Sequence, residues 1–311
     1  MPERDLVSTL DLDGKRLLVA ASTGGHLVQA LRLISKLPTA DVELVTFENA
    51  QSRALANERR VTFVPYIAAR SPGAVLRAGK IVNDLLRARE FAAVASTGGA
   101  VALSALLPAR ARGIRAVFIE SFSRFDGPST SGRMLAYVPG IERYAQHVSW
   151  ITPRWTYRGS IVGDLAAAGT PAVRAPGPPR YFVTLGTVRP WRFDSMVDAV
   201  LRCLPADASV VWQLGVTDRD DLPGIAKLEL EQAAFDEAID NADVVISHAG
   251  IGTAIHILER GKKPILIPRR SVRREHVDDH QVQACRALEA RGLAVYREVD
   301  ELTRDDLTAD L

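Results

Sequence analysis

Residues 244–281 read VVISHAGIGTAIHILERGKKPILIPRRSVRREHVDDHQ. Val244–Ser247 is a short apolar run of the kind that fills a buried parallel strand. Gly250 and Gly252 break it, and Thr253 stands at a helix-start position. Thr253–Arg260 is helical in pattern and stops at Gly261, a good C-terminal terminator. Pro264 opens a second apolar run, Ile265–Ile267, which Pro268 closes. Strand, glycine turn, helix and strand make one βαβ unit, and the same grammar recurs along the chain.

The turn is a candidate for chemistry. Glycines let backbone N–H groups approach a ligand closely, and a helix N-terminus carries partial positive charge. A diphosphate is the natural guest. A lone GxG more often marks only a tight turn. Here a second loop follows the next strand and is dense in polar groups: Arg269, Arg270, Arg273, Arg274, Glu275, His276, Asp278, Asp279, His280 and Gln281. In open α/β sheets, loops at the carboxyl ends of neighbouring strands line the ligand crevice. An anion-friendly turn beside a loop rich in hydrogen-bonding groups points to a phosphorylated polar molecule such as a nucleotide sugar.

The 311 residues exceed a single typical core, so two domains are expected. The 39 Lys and Arg nearly cancel the 37 Asp and Glu, which argues against a dedicated nucleic-acid binder. Cys203 and Cys285 form no metal or redox spacing, which fits a reducing compartment. The charged start, MPERDLVSTLDLDGK, lacks a signal-peptide core. No apolar stretch reaches the roughly 20 residues of a membrane span. The protein is expected to be soluble or peripheral, on the cytoplasmic side.

Residues 1–15 read as a flexible lead-in. Strands are expected at Arg16–Ala20, Val42–Phe47, Val61–Pro65, Ala92–Ser96 and Ala116–Glu120. Helices are expected at Leu27–Leu37, Ala74–Arg89 and from Thr97–Gly98–Gly99 through Leu107. Ile141–Trp155 has no clear period, and Ser160–Val162 reads as a short closing strand. The stretch GTPAVRAPGPPR (169–180) is rich in Pro and Gly and reads as a linker between domains 1–168 and 181–311. The second half restarts with strands at Tyr181–Leu185, Val210–Leu214 and Lys227–Leu230, helices at Phe193–Cys203 and Phe235–Asn241, and an edge strand at Ala294–Val299. The expected fold is α/β, with two Rossmann-like domains facing a central cleft.

At this point the residues carry a resemblance. VTLGT (183–187), ISHAGIGT (246–253), GKKPILIPR (261–269) and EHVDDHQ (275–281) resemble the donor-binding subunit of the dolichol-pathway UDP-N-acetylglucosamine transferase. STGGH (22–26), STGG (96–99) and IESFSR (119–124) resemble its acceptor-side partner subunit. Both halves are similar to paired bacterial exopolysaccharide glycosyltransferase subunits, and more distantly to the peptidoglycan transferase that acts on a lipid intermediate. The resemblance implies a GT-B fold and inverting, metal-independent transfer of a sugar, GlcNAc or glucuronate, from a UDP-sugar to a lipid-diphosphate-linked saccharide. It implies no cofactor.

It also implies site residues. The donor side comprises Gly186, Thr187, Ser247, His248, Gly250, Gly252, Thr253 and Arg269, with Phe235 near the uracil. His276 also belongs to the donor side, and Glu275, Asp279, His280 and Gln281 hold the sugar hydroxyls. His256 stands where many relatives carry a ribose-binding Glu. The acceptor side comprises Gly24, Gly25, Thr97, Gly98, Gly99, Ser121 and Arg124. Two candidates compete as general base. His26 opens a helix after a glycine turn, and histidine titrates near neutrality. Glu120 ends a strand, where burial raises a carboxyl pKa. Asp11–Asp13 and Asp218–Asp220 spell DxD, and His276 and His280 are four apart, but none completes a metal set. The basic amphipathic segment Arg70–Glu90 suits either a membrane surface or an ordinary core-facing helix. A UDP-sugar epimerase and a non-catalytic nucleotide-sugar-binding protein are the rival readings.

Overall fold

The computed structural model describes residues 5–10, 14–37, 41–68, 71–165, 177–187, 189–276 and 279–307. The chain divides into two compact units, Met1–Asp164 and Leu165–Leu311.

The first unit is built on seven strands: β1 (Arg16–Ala21), β2 (Asp41–Phe47), β3 (Arg60–Val64), β4 (Ala93–Gly98), β5 (Arg115–Ile119), β6 (Ile141–Ala145) and β7 (Thr156–Tyr157). They lie parallel in the order β3-β2-β1-β4-β5-β6-β7. Because side chains alternate across a strand, β1 feeds two cores. Leu17, Val19 and Ala21 pack with Leu27, Ala30 and Leu33 of the helix Gly25–Ser35. Leu18 and Ala20 share a core with Ala74, Ala78, Val82 and Leu86 of the helix Pro72–Ala88 and with the helix Val101–Ala111. Burial on both faces is why the strand is apolar throughout rather than alternating. The sheet order reverses between β1 and β4, so the loops after these two strands diverge. Such a switch point opens a crevice at the strands' carboxyl ends, and STGGH and STGG are the segments placed there.

The second unit repeats the plan with β8 (Arg180–Thr184), β9 (Ser209–Gln213), β10 (Ile225–Lys227), β11 (Val244–His248), β12 (Ile265–Ile267) and β13 (Val295–Tyr296), parallel in the order β10-β9-β8-β11-β12-β13. Tyr181, Val183 and Leu185 face Met196, Val197, Val200 and Trp212, while Phe182 and Val245 face Ile239 and Ile257. Its switch point lies between β8 and β11, between the Gly186–Thr187 turn and the His248–Gly250 turn.

Several local expectations give way. Leu6–Leu10 is a helix, with Leu6 and Leu10 buried in the core and the Leu6 amide bonded to the Arg158 carbonyl at 2.6 Å. Its two leucines are one helical turn apart, a pattern too short to register in sequence. Ser160–Val162 is a turn; the edge strand is β7. The helix after STGG starts at Val101, because Gly98 and Gly99 both hold positive φ. The helices Ala50–Leu55 and Thr130–Leu135 have no sequence period to announce them. The expected linker at 169–180 lies largely outside the described residues.

Candidate functional site

In the second unit the helix after β11 runs Ile251–Glu259, two residues earlier than its pattern suggests, with Gly250 as N-cap. The Gly250 amide donates to the His248 carbonyl at 2.8 Å, so that amide is not the one offered to a ligand. The first-turn N–H groups of Ile251, Gly252 and Thr253 lack intrahelical acceptors, and no side chain among the described residues caps them. Those amides are the anion-friendly donors of the turn.

His248 explains the glycines on either side. A Cβ on Gly186 would stand 2.4 Å from its Nε2, and a Cβ on Gly250 would stand 2.3 Å from the same atom. Gly186 also holds φ 71°, which favours glycine. The imidazole is buried, its Nδ1 has no hydrogen-bond partner among the described residues, and burial with the nearby Arg269 charge depresses its pKa to about 3. It is neutral at every physiological pH. Ser247 is buried and donates to the His248 carbonyl at 2.8 Å, an internal role rather than a ligand contact.

The loop after β12 is organised from inside. Arg269 is buried; its guanidinium donates to the carbonyls of Leu185 at 2.7 Å and of Trp191 and Arg192 at 3.0 Å, and stacks over Phe193 at 4.5 Å. Burial lowers its pKa to about 10. Arg269, expected on the donor side, ties this loop to the loop after β8 through its Nη1 and Nη2 groups. Glu275 is buried too, accepting from Ser195 Oγ, from the Arg270 amide at 3.0 Å and from Arg273 Nε at 3.0 Å. Gln281 is buried, and its carboxamide oxygen accepts from the Arg269 amide at 2.9 Å. These two were expected to hold sugar hydroxyls; both shape the loop. Asp279 accepts from the Ser271 amide at 2.7 Å, and the His276 ring lies 5.6 Å from Trp191. The His280 side chain lies outside the described residues, as do Asp11–Asp13 and Asp278.

Phe235 is half-buried against Phe182, with ring centroids 5.1 Å apart, so it belongs mainly to the core. His256 lies beside it and meets Asp236 Oδ1 through Nε2 at 2.7 Å. Thus a carboxylate stands next to the position where an acid was missing in sequence, supplied by the preceding helix, Gln232–Asn241. A shallow polar pocket at the carboxyl ends of β8, β9 and β10 is lined by Thr187, Arg189, Gly215, Leu228 and Glu229. Of these only Thr187 was anticipated.

In the first unit His26 is half-buried in the first turn of Gly25–Ser35. Its Nδ1 lies 2.9 Å from the Thr97 carbonyl, and Thr97 Oγ1 donates back to the His26 carbonyl at 2.8 Å. A carbonyl can only accept, so Nδ1 carries a proton, and in the neutral ring Nε2 is the basic nitrogen. Gly98 and Gly99 make the room: a Cβ on Gly98 would stand 2.7 Å from His26 Nδ1, and one on Gly99 would overlap Ser22 Oγ at 1.9 Å. Gly24, with φ 81°, caps the helix, and the Gly25 carbonyl accepts from Gln29 Nε2 at 3.1 Å. Gln29, buried one turn beyond His26, also donates to Ser121 Oγ and accepts from the Phe122 amide and Gln146. It locks the helix to the 121–124 loop, where the Arg124 carbonyl accepts from Trp150 Nε1 at 2.9 Å. A buried polar side chain at i+3 from a candidate base was the available signal for Gln29.

Glu120 is fully buried, and burial raises its pKa. It accepts from the Ser121 amide at 3.0 Å and from the Ser129 amide and hydroxyl at 2.8 and 3.0 Å. A Cβ on Gly132 would stand 2.3 Å from Oε2. These contacts enclose the carboxyl group and fit it for holding the 120–132 loop.

The glycosyltransferase family 28 C-terminal domain matches residues 181–310. The UDP-N-acetylglucosamine–N-acetylmuramyl-(pentapeptide) pyrophosphoryl-undecaprenol N-acetylglucosamine transferase of Synechococcus sp. (strain RCC307) is 29% identical over 309 residues, spanning 90% of this chain and 82% of its own. The crystal structure of Acinetobacter baumannii MurG superposes with a TM-score of 0.58 at 18% identity, over 94% of this chain and 88% of its own. The UDP-GlcNAc 2-epimerase of Methanocaldococcus jannaschii superposes with a TM-score of 0.57 at 11% identity, over 94% of this chain and 90% of its own. The structural likenesses establish the fold alone, which transferases and epimerases share. The chain is thus a glycosyltransferase of the GT-B fold whose residues 181–310 match the glycosyltransferase family 28 C-terminal domain.

Proposed function

We propose that this protein is an inverting, metal-independent transferase that moves a sugar from a UDP-sugar to a lipid-diphosphate-linked saccharide. The observation that carries the reading is the first turn of Ile251–Glu259: three uncapped amides at the switch point of a family 28 domain. They suit the diphosphate of the donor. As the bond from the anomeric carbon to the diphosphate oxygen breaks, fixed amide donors stabilise the charge that gathers on the leaving group. The pocket of Thr187, Arg189, Gly215, Leu228 and Glu229 is the proposed seat of the base and ribose, with Asp236 and His256 at its side of the unit. In the first unit, His26 Nε2 takes the proton from the acceptor hydroxyl as its oxygen attacks the anomeric carbon. His26 is preferred over Glu120 because the Glu120 carboxyl is enclosed by its own donors.

The donor sugar is proposed to be GlcNAc or glucuronate, and the chain to unite two roles that the dolichol-pathway and exopolysaccharide enzymes divide between subunits. The separate placement of STGGH and ISHAGIGT in the two units supports this. The domain limits 1–168 and 181–311 belong to the same proposal. No helix among the described residues is long and apolar enough to cross a membrane. Peripheral contact on the inner face is proposed through the helix Pro72–Ala88, whose exposed Leu76 lies beside the exposed Arg77 and Lys80, although Ala74, Ala78, Val82 and Leu86 face the core. Arg70 lies outside the described residues.

The deciding experiment incubates the protein with radiolabelled UDP-GlcNAc or UDP-glucuronate, with and without a polyprenyl-diphosphate saccharide. Label entering the lipid only when acceptor is present supports transfer. A changed UDP-sugar without acceptor would identify the epimerase instead, and UDP binding without turnover would identify a binding protein.

A further inference from the structure

The loop after β12 carries four arginines, and three of them are engaged. Arg269 is held by backbone carbonyls. Arg270 Nη1 meets Glu298 Oε1 at 2.5 Å, and its Nε lies 3.6 Å from Asp279. Arg273 Nε meets Glu275 at 3.0 Å, and its Nη1 lies 3.7 Å from Glu298. Arg274 is different. It is exposed, and among the described residues its guanidinium has no ion pair or hydrogen bond. Its backbone sits at φ 58°, ψ 34°, in the left-handed region. Among the described residues it is the one non-glycine with positive φ.

A long L side chain in that region brings its Cβ against its own carbonyl, a strain that glycine avoids. The surroundings impose the conformation: the Arg274 amide donates to the Ser271 carbonyl at 2.9 Å, and the Glu275 amide to the Arg270 carbonyl at 3.1 Å. Strain that is held in place on a binding loop points to a side chain that is used. The loop is moored to the donor half through Arg269, which bridges to Leu185 and Trp191, and through the Ser195–Glu275 contact. Arg274 is therefore presented at the carboxyl end of the sheet that carries the Gly186 and Gly250 turns.

We propose that Arg274 reads a negative charge on the donor, either a diphosphate oxygen or a carboxylate on the sugar. This rests on the donor reading above. The test uses the full chain and its Arg274→Gly and Arg274→Lys variants, titrated with UDP, UDP-GlcNAc and UDP-glucuronate, alongside thermal unfolding. Arg274→Gly relieves the backbone, so its Tm is expected to equal or exceed the wild type. Its affinity for at least one probe is expected to fall by about tenfold or more, the effect of losing a charge-assisted bond. Equal loss for all three probes assigns the diphosphate; loss confined to UDP-glucuronate assigns the carboxylate. Arg274→Lys, which keeps the charge, is expected to bind more tightly than Arg274→Gly. Unchanged affinity of Arg274→Gly for all three probes, or a lowered Tm, would overturn the proposal. A wild type that binds none of the three would instead remove the donor reading itself.

Discussion

The imidazole of His248 occupies the space that a side chain on Gly250 would need, with Nε2 standing 2.3 Å from an ideal Cβ there. Gly250 is at φ −72°, a value open to any residue, so the requirement for glycine is one of packing rather than of backbone conformation. Gly250→Ala should cost about 1–3 kcal/mol by overpacking. Adding His248→Ala should recover much of that loss, because the clash partner is gone. Denaturant unfolding of the two single variants and the double variant measures the coupling. Additive costs would show that the imidazole does not set the need for glycine.

His248 also sets a pH dependence. Its folded pKa, about 3, lies below the ordinary histidine value, because burial and Arg269 disfavour the cation. Between those two values the unfolded chain binds the proton and the folded chain does not. The stability contributed by neutral His248 is therefore full above about pH 6.5 and declines as pH falls toward 3, by on the order of a few kcal/mol. A His248→Gln variant cannot titrate there. The difference between wild-type and variant unfolding free energies should shift in the variant's favour across that window, and a flat difference would contradict the assignment.

The proposed base, His26, should separate from Glu120 in kinetics. His26→Ala should lower kcat by roughly 100-fold or more while leaving UDP affinity unchanged, as removal of a general base does. Glu120→Gln keeps an acceptor for the Ser129 donors and should retain more than about a tenth of wild-type kcat. Steady-state kinetics with saturating donor decides between them, and the opposite ranking would transfer the role to Glu120.

Arg269→Lys should be far from conservative. A lysine ammonium cannot span the carbonyls of Leu185, Trp191 and Arg192 that the planar guanidinium satisfies together. Buried carbonyls left without donors should cost about 3 kcal/mol or more. Release of the loop that holds Glu275 should weaken UDP-sugar binding beyond what the loss of stability explains. Calorimetric titration well below the variant's Tm tests this.

The strand runs of β1, β8, β11 and β12 were legible in the chain because a strand buried on both faces must be apolar at every position. The two glycine-bearing motifs of each unit were legible as turns, and the alternation of strands with helices announced the doubly wound sheets. What each polar residue does was not legible. Arg269, Glu275 and Gln281 have the composition of a ligand-binding loop, yet their partners are backbone groups and side chains as distant in sequence as Leu185 and Ser195. Asp236 could not be matched to His256 across 20 residues without the packing of two helices. Local spacing determines which segments become strands, helices and turns. Burial and hydrogen-bond satisfaction are settled between segments far apart in the chain, so only the tertiary structure distinguished the arginine that braces the loop, Arg269, from the one it exposes, Arg274.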